Sequence, residues 1–495
     1  MPRLNNGVTF SVYATVDPSG RYPLPLTTQT NDVEEVFFSA GTQTFTSLPL
    51  WQRKAPNTDV ARQSSKANTM KNKIISCAWA SALLLPLISP AQADTRSNID
   101  ASCHYGANGV DNLGDFFTCG TVSGSIRSLY YSTHNAYFAK GFNQDTISYG
   151  GSLKYETAPL AGFRLGVSGI FLRGINHGDN SHTISDIGQN QNNIGEAYLS
   201  WQWDALKITA GDQRLDLPFM GDYDWRITPI LYRAVDVNYG DKDNFLRATK
   251  VWRYKPWGDD NFLKTTAYTD IDTPINGMWG AGAGRAVQLD DKKLTGQIWY
   301  EEYDDYSKLV YGESHLNWQQ TWMQPDVAVQ FIRGTSDGKA LAGEVNSTSY
   351  GAQLALAVTP SLGWKLGYNH IAGSANSWNN GALVVPYAHN SSSGPYFAQP
   401  YFTSTQDLGS GNAWATEFNF VATQNLTVGT RYSFMDLKPS VASASINQSE
   451  YLVYAIWAFD GALKGLSISD FAGVQTSPLY DSSFWQNRLT LQYDF

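Results

Sequence analysis

The chain has 495 residues, of which 14% are aromatic and 16% charged, with a formal net charge of −9. That acidic balance argues against nucleic acid as a partner. No apolar run after Ala93 is long enough to cross a bilayer as a helix, which needs roughly 20 residues, so a helical membrane protein is excluded.

In chain order, residues 1–69 are rich in Thr, Ser, Asn and Pro and hold neither a strand nor a helix period. They are expected to be disordered and to reflect translation from a misplaced upstream start. From Met70 the sequence reads as a fresh beginning. Lys71 and Lys73 precede an apolar stretch from Ile74 to Leu87, and Ala91-Gln92-Ala93 precedes Asp94. A basic flank, a short apolar run and an A-x-A site describe a secretory signal peptide over 70–93. Residues 1–93 hold 8 of the 35 basic and 5 of the 44 acidic residues, so a chain starting at Asp94 carries 27 and 39, a net of −12. Cys77 falls in the leader. Cys103 and Cys119 are left, either as one disulfide restraining the segment before the first strand or as two free thiols.

Residues 94–495 alternate. Leu153, Tyr155 and Thr157 oppose Ser152, Lys154 and Glu156. Past a turn at Ala158-Pro159-Leu160, Phe163, Leu165 and Val167 oppose Arg164, Gly166 and Ser168. Leu199, Trp201 and Trp203 oppose Ser200 and Gln202, and Leu206, Ile208 and Ala210 oppose Lys207 and Thr209. The pattern recurs around Thr359-Pro360-Ser361 and around Thr423-Gln424-Asn425, where Trp414–Phe420 and Leu426–Phe434 form a hairpin. The last strand sets Leu489, Leu491, Tyr493 and Phe495 against Arg488, Thr490, Gln492 and Asp494. Side chains alternate across a strand, so each segment has one apolar and one polar face. Short turns alternate with long polar stretches such as 174–193 and 373–412. Both features predict an all-β, antiparallel transmembrane barrel with an apolar outer face, a wet lumen and loops at one end. Arg127, Lys154, Glu156, Arg164, Arg431 and Arg488 are the expected pore-lining charges. Around Tyr451–Phe459 both parities are apolar, which points to a loop packed inside.

The run Gly211-Asp212-Gln213-Arg214-Leu215-Asp216-Leu217-Pro218-Phe219, with Asp224-Trp225-Arg226 and Pro229 at matching spacing, resembles the OprD family of substrate-specific outer-membrane porins. Weaker echoes are Thr157-Ala158-Pro159-Leu160, Gly166–Gly169 and Tyr303-Asp304-Asp305-Tyr306, and together they extend from about Ser123 to Phe495. The resemblance implies a barrel of about 18 strands with inward-folded constriction loops. It also implies passive diffusion of small solutes, amino acids or organic acids among them. Arg214, Asp216, Asp224 and Arg226 fall in the constriction-loop region. Of the basic ladder that such proteins carry, Arg431 matches a rung. The next pair of arginines is absent from Leu466-Ser467-Ile468-Ser469-Asp470-Phe471, where Asp470 brings the opposite charge.

The implied surroundings are outer-membrane lipid and lipopolysaccharide, small-molecule solutes and the outer-membrane assembly machinery, whose signal a terminal Phe495 resembles; the chain is expected as a monomer or homotrimer. The rival readings are an adhesin or structural barrel and a barrel hydrolase. His389-Asn390-Ser391 lies in a long polar loop, no nucleophile–base set can be named, and no catalytic role is assigned. Glu301, Glu302, Asp304 and Asp305 are read as a strand end between Tyr300, Tyr303 and Tyr306, so no metal or cofactor site is assigned either.

Overall fold

The structure, a computed structural model, describes residues 103, 105, 106, 109–175, 180–388, 394–402, 409–437 and 447–495, plus two short strands, Val8–Phe10 and Val36–Phe38, paired in parallel. The expected signal peptide at 70–93 lies outside the described residues, as does His389-Asn390-Ser391.

The alternating segments close into a barrel of 18 strands, each antiparallel to its neighbours. They are β1 (Thr121–His134), β2 (Gln144–Glu156), β3 (Phe163–Ile175), β4 (Asn190–Trp203), β5 (Leu206–Gln213) and β6 (Leu231–Gly240). Then come β7 (Phe245–Lys255), β8 (Met278–Leu289), β9 (Lys292–Tyr303), β10 (Ser307–Trp318), β11 (Asp326–Ser336) and β12 (Asn346–Thr359). The wall ends with β13 (Leu362–Ile371), β14 (Gly411–Val421), β15 (Leu426–Leu437), β16 (Gln448–Ala458), β17 (Leu466–Thr476) and β18 (Phe484–Asp494). Every strand pairs with its sequence neighbours, so the only non-local seam is β18 against β1. Phe495 locks that seam: its N–H donates to the Gly124 carbonyl at 3.0 Å and its carbonyl accepts from the Gly124 N–H at 2.9 Å. Closure leaves no open sheet edge, a condition for crossing lipid with strands.

The burial pattern is inverted relative to a soluble sandwich. Leu489, Leu491 and Tyr493 are exposed while Arg488, Gln492 and Asp494 are buried; Trp414, Phe418 and Phe420 are exposed while Glu417 is buried. An outer belt of exposed Leu, Val, Ile and aromatic side chains fits a bacterial outer membrane, where those residues meet lipid. Two of the short turns are closed by threonines. Thr359 Oγ1 accepts from the backbone N–H of Ser361 (3.2 Å) and Leu362 (3.0 Å), and Thr423 Oγ1 does the same for Asn425 and Leu426. The opposite end carries, among the described residues, the loop segments 180–189, 214–230, 256–277, 372–388 and 394–402.

Ahead of β1, Cys103 and Cys119 form a disulfide across the helix Leu113–Thr118, whose N-cap Asn112 accepts from the Asp115 N–H. Phe116 and Cys119 pack on Ala158 and Val110, and the Ala158 N–H donates to the Phe116 carbonyl at 3.0 Å. This segment is thereby fixed to the turn after β2.

Candidate pore constriction and solute path

The lumen is narrowed by loops from one end. Loop 214–230 turns on a small hairpin, Asp216–Leu217 against Met220–Gly221, whose tip Phe219 is fully buried. Leu215, Leu217, Phe219 and Met220 pack with Leu383, Val384, Val385 and Tyr387 of loop 372–410. Hydrogen bonds tie the plug to the wall. Tyr232 Oη of β6 donates to the Gly221 and Tyr387 carbonyls (2.8 and 3.2 Å), and Ser307 Oγ of β10 donates to the Val384 carbonyl at 2.7 Å. The apolar pattern of these loop segments is thus accounted for by burial inside the barrel, against β6–β15.

Facing this plug, charges of alternating sign run down the wall of β1–β4. Arg127 of β1 pairs with Asp224 at 3.0 Å, and the other Asp224 oxygen pairs with Arg214 at 3.0 Å. Arg214 also approaches Asp222 (3.7 Å) and Glu196 of β4 (3.9 Å). Glu196 pairs with Lys154 of β2 at 3.3 Å, whose ammonium lies 4.8 Å from the Tyr198 ring centre. Tyr198 Oη donates to Glu156 at 2.5 Å, and Glu156 pairs with Arg164 at 3.2 Å. The lattice holds four cations (Arg127, Lys154, Arg164, Arg214) and four carboxylates (Glu156, Glu196, Asp222, Asp224), so its formal charge is zero. Lys154, Arg164 and Arg214 keep 26%, 35% and 30% of their side-chain surface open. Gly166 makes room for the platform: a Cβ there would stand 2.4 Å from Tyr198 Cζ.

The remaining expected residues sit elsewhere on the inner wall or on loop 214–230. Arg127 is further held by Gln492 of β18 (2.7 Å) and by the carbonyls of Asp224 and Arg226, which clamps loop 214–230 to the seam. Arg226 reaches Asp186 of loop 176–189 and stacks between Tyr131 and Trp257, with ring distances of 5.2 and 5.0 Å. Asp216 offers its carbonyl to Arg247 at 3.0 Å. Arg431 is on the lumen side but covered: it pairs with Glu417 at 2.9 Å and donates to the Phe397 and Gln399 carbonyls at 3.2 and 3.0 Å. Arg488 is buried between Tyr131 and Phe402, with ring distances of 4.6 and 4.3 Å. The double apolar parity of β16 is explained by Leu452 and Tyr454 packing on Tyr401 and Phe402 of the inward loop.

One reading needs correcting. Asp470 does not bring negative charge to the lumen. Phe471 is buried inside the barrel and Ile468 exposed outside it, so Asp470 shares the outward parity and accepts from Asn487 at 2.7 Å. The acidic run at the end of β9 and in the turn after it also divides: Glu301 is buried and accepts from Tyr303 Oη, Glu302 accepts from Tyr300, and Asp305 pairs with Lys339.

Sequence reasoning missed Glu196, Tyr198 and Asp222. The signal for the first two was present, because carrying the inward parity of Ser200 and Gln202 two steps back reaches both. Asp222 had none, since loop curvature and not periodicity places it.

No family model matches this sequence, and no curated protein matches it. Solved structures do. The chain is similar to Pseudomonas aeruginosa OpdK with vanillate (TM-score 0.63, 15% identity). It is similar also to OccK8 (OprE) of the same organism (0.64, 18%) and to a BenF-like porin from Pseudomonas fluorescens Pf-5 (0.64, 14%). Each match covers 77% of this chain and 99% of the other. The chain therefore has the closed 18-stranded fold of OprD- and OccK-type outer-membrane porins.

Proposed function

We propose that the protein is an outer-membrane porin through which small polar solutes, amino acids first and small organic acids next, diffuse passively. The observation that carries this reading is the electroneutral lattice from Arg127 to Arg164 on the open side of a loop-plugged lumen. An entering carboxylate can replace Asp224 or Glu196 as the partner of Arg214, while an ammonium replaces Lys154 or Arg214 as the partner of Glu196. Each exchange swaps one ion pair for another of similar strength, so binding stays weak and repeated, as conduction requires. A zwitterion makes both exchanges at once. A sugar of equal size makes neither. The vanillate in the OpdK structure, a carboxylate in a barrel of the same fold, supports an acid among the solutes.

In the same reading, residues 70–93 direct export and are removed before Asp94, residues 1–69 are absent from the exported chain, and 94–495 form the barrel. Liposome swelling tests the function. Vesicles bearing the protein should swell faster in small zwitterionic amino acids than in neutral sugars of equal size. Equal rates would leave the lattice without a selective role.

A further inference from the structure

Where strands of the wall meet, a cation stands opposite a carboxylate, as Lys308 does with Glu302 and Arg431 with Glu417, or opposite a neutral residue. Among the described residues one register pair departs from this: Arg233 of β6 lies directly opposite Arg253 of β7. Both side chains face outward. Tyr232 and Ala234, which flank Arg233, are buried inside the barrel, and so is Tyr254 next to Arg253. The register slips between Arg233 and Ala234, which leaves Trp252 exposed on the outer face as well.

Like charges directly opposite one another across two strands repel. One of the two is neutralised. Asp212 of β5 accepts from Arg233 through both oxygens, at 2.7 and 3.0 Å, and the Phe262 ring lies 4.8 Å from the same guanidinium. The Arg253 guanidinium has no hydrogen bond or ion pair among the described residues, so the pair keeps one net positive charge. Arg285 of β8 and Asp436 of β15 also face outward without such a partner, but each stands opposite a neutral residue, Gly296 and Asn412.

The pair lies near the loop end of the barrel. Arg233 is two residues from the end of β6 at Leu231, and Arg253 is two residues from the end of β7 at Lys255. At about 3.3 Å per residue and a tilt of about 40°, that is about 5 Å below the strand ends, at the border between headgroups and acyl chains. Trp252 and Trp279 are exposed beside it, and the Lys250 ammonium lies 4.7 Å from the Trp279 ring, an interfacial combination of aromatic and basic side chains. What completes the pair must therefore be an anion that reaches it from the outer leaflet. It must also offer acceptor oxygens to two planar guanidinium forks at once, which a phosphate does.

We propose that Arg253 and Arg233 clasp a phosphate of an outer-leaflet glycolipid of the lipid A kind, with its acyl chains running down the wall past Trp252 and Trp279. The inference rests on the membrane-spanning reading but not on any solute.

Native mass spectrometry of the detergent-extracted protein, titrated with diphosphoryl lipid A, tests the site, and the heat-dependent shift on gels checks the barrel fold of each variant. R253Q should retain about fivefold less lipid than the unaltered protein, the loss of one basic contact at an anionic surface. D212N, which removes the competing carboxylate, should retain more. Lipid A without phosphates and phosphatidylethanolamine should bind no better than lipid A binds to R253Q. Equal retention by R253Q, or a loss in D212N that matches the loss in R253Q, would overturn the site. Equal retention of phosphatidylethanolamine, or displacement of lipid A by millimolar inorganic phosphate, would overturn the glycolipid as its occupant. Both variants lie outside the lumen and should conduct like the parent in planar bilayers; a silent barrel that still retains lipid A would count against the porin reading and leave the lipid site standing.

Discussion

Replacing Asp224 by Asn isolates the electrostatics of the constriction. The carboxylate bridges Arg127 and Arg214, both at 3.0 Å, and Asn keeps its size. Arg127 retains Gln492 and the carbonyls of Asp224 and Arg226, so loop 214–230 stays anchored. The lattice then changes from formally neutral to +1. A monovalent ion about 6 Å from the altered site feels a change of about 0.7 kcal/mol at the dielectric of water, and about 2.8 kcal/mol at an effective value of 20. The smaller figure is about threefold in occupancy. Anions gain and cations lose, so their permeability ratio should shift by about tenfold toward anions. Reversal potentials in planar bilayers under a salt gradient measure that ratio directly. The shift should shrink as salt rises above 0.1 M, where the screening length is about 10 Å. An unchanged reversal potential in a channel of normal conductance would show that permeant ions do not pass this cluster, and the proposed path would be wrong.

Three further outcomes follow from the packing. Arg431→Met removes the buried partner of Glu417 and frees the Phe397 and Gln399 carbonyls. It should destabilise the barrel by about 3–5 kcal/mol and, as the loop loosens, raise single-channel conductance; a loss of anion selectivity without either change would instead assign Arg431 to the solute path. Gly166→Ala puts a methyl against the Tyr198 ring, which should cost about 1–3 kcal/mol in urea unfolding and narrow the selectivity for zwitterions in swelling assays. Cys119→Ser should lower stability by about 3 kcal/mol, the chain-entropy value for a loop of this length, with conductance unaltered; a change in conductance would place the stapled segment in the pore.

The barrel was legible in the sequence because a two-residue period is a local property. Leu489, Leu491 and Tyr493 against Arg488, Gln492 and Asp494 needs no knowledge of distant residues, and register follows from turns as short as Thr359–Leu362. The strand number came only with the resemblance carried by Gly211–Phe219. What could not be read was where the loops go. Arg431 and Lys154 have the same inward parity, yet one is buried beneath residues 397–401 and the other is open beside Glu196. That difference is set by groups more than 30 positions away, the Gln399 carbonyl for Arg431 and the Glu196 carboxylate for Lys154. Asp470 shows the limit of reading a motif without parity: it stands beside the positions of the missing arginines, but its neighbour Phe471 carries the inward face, so Asp470 points out.

The central claim is that residues 94–495 form an open, constricted pore with a lattice of paired charges on its free wall. Single-channel recording of the purified protein in planar bilayers tests it most directly. Discrete, small conductance steps that small zwitterionic amino acids reduce in a concentration-dependent way are predicted. A correctly folded, heat-modifiable barrel that gives no steps would contradict the account.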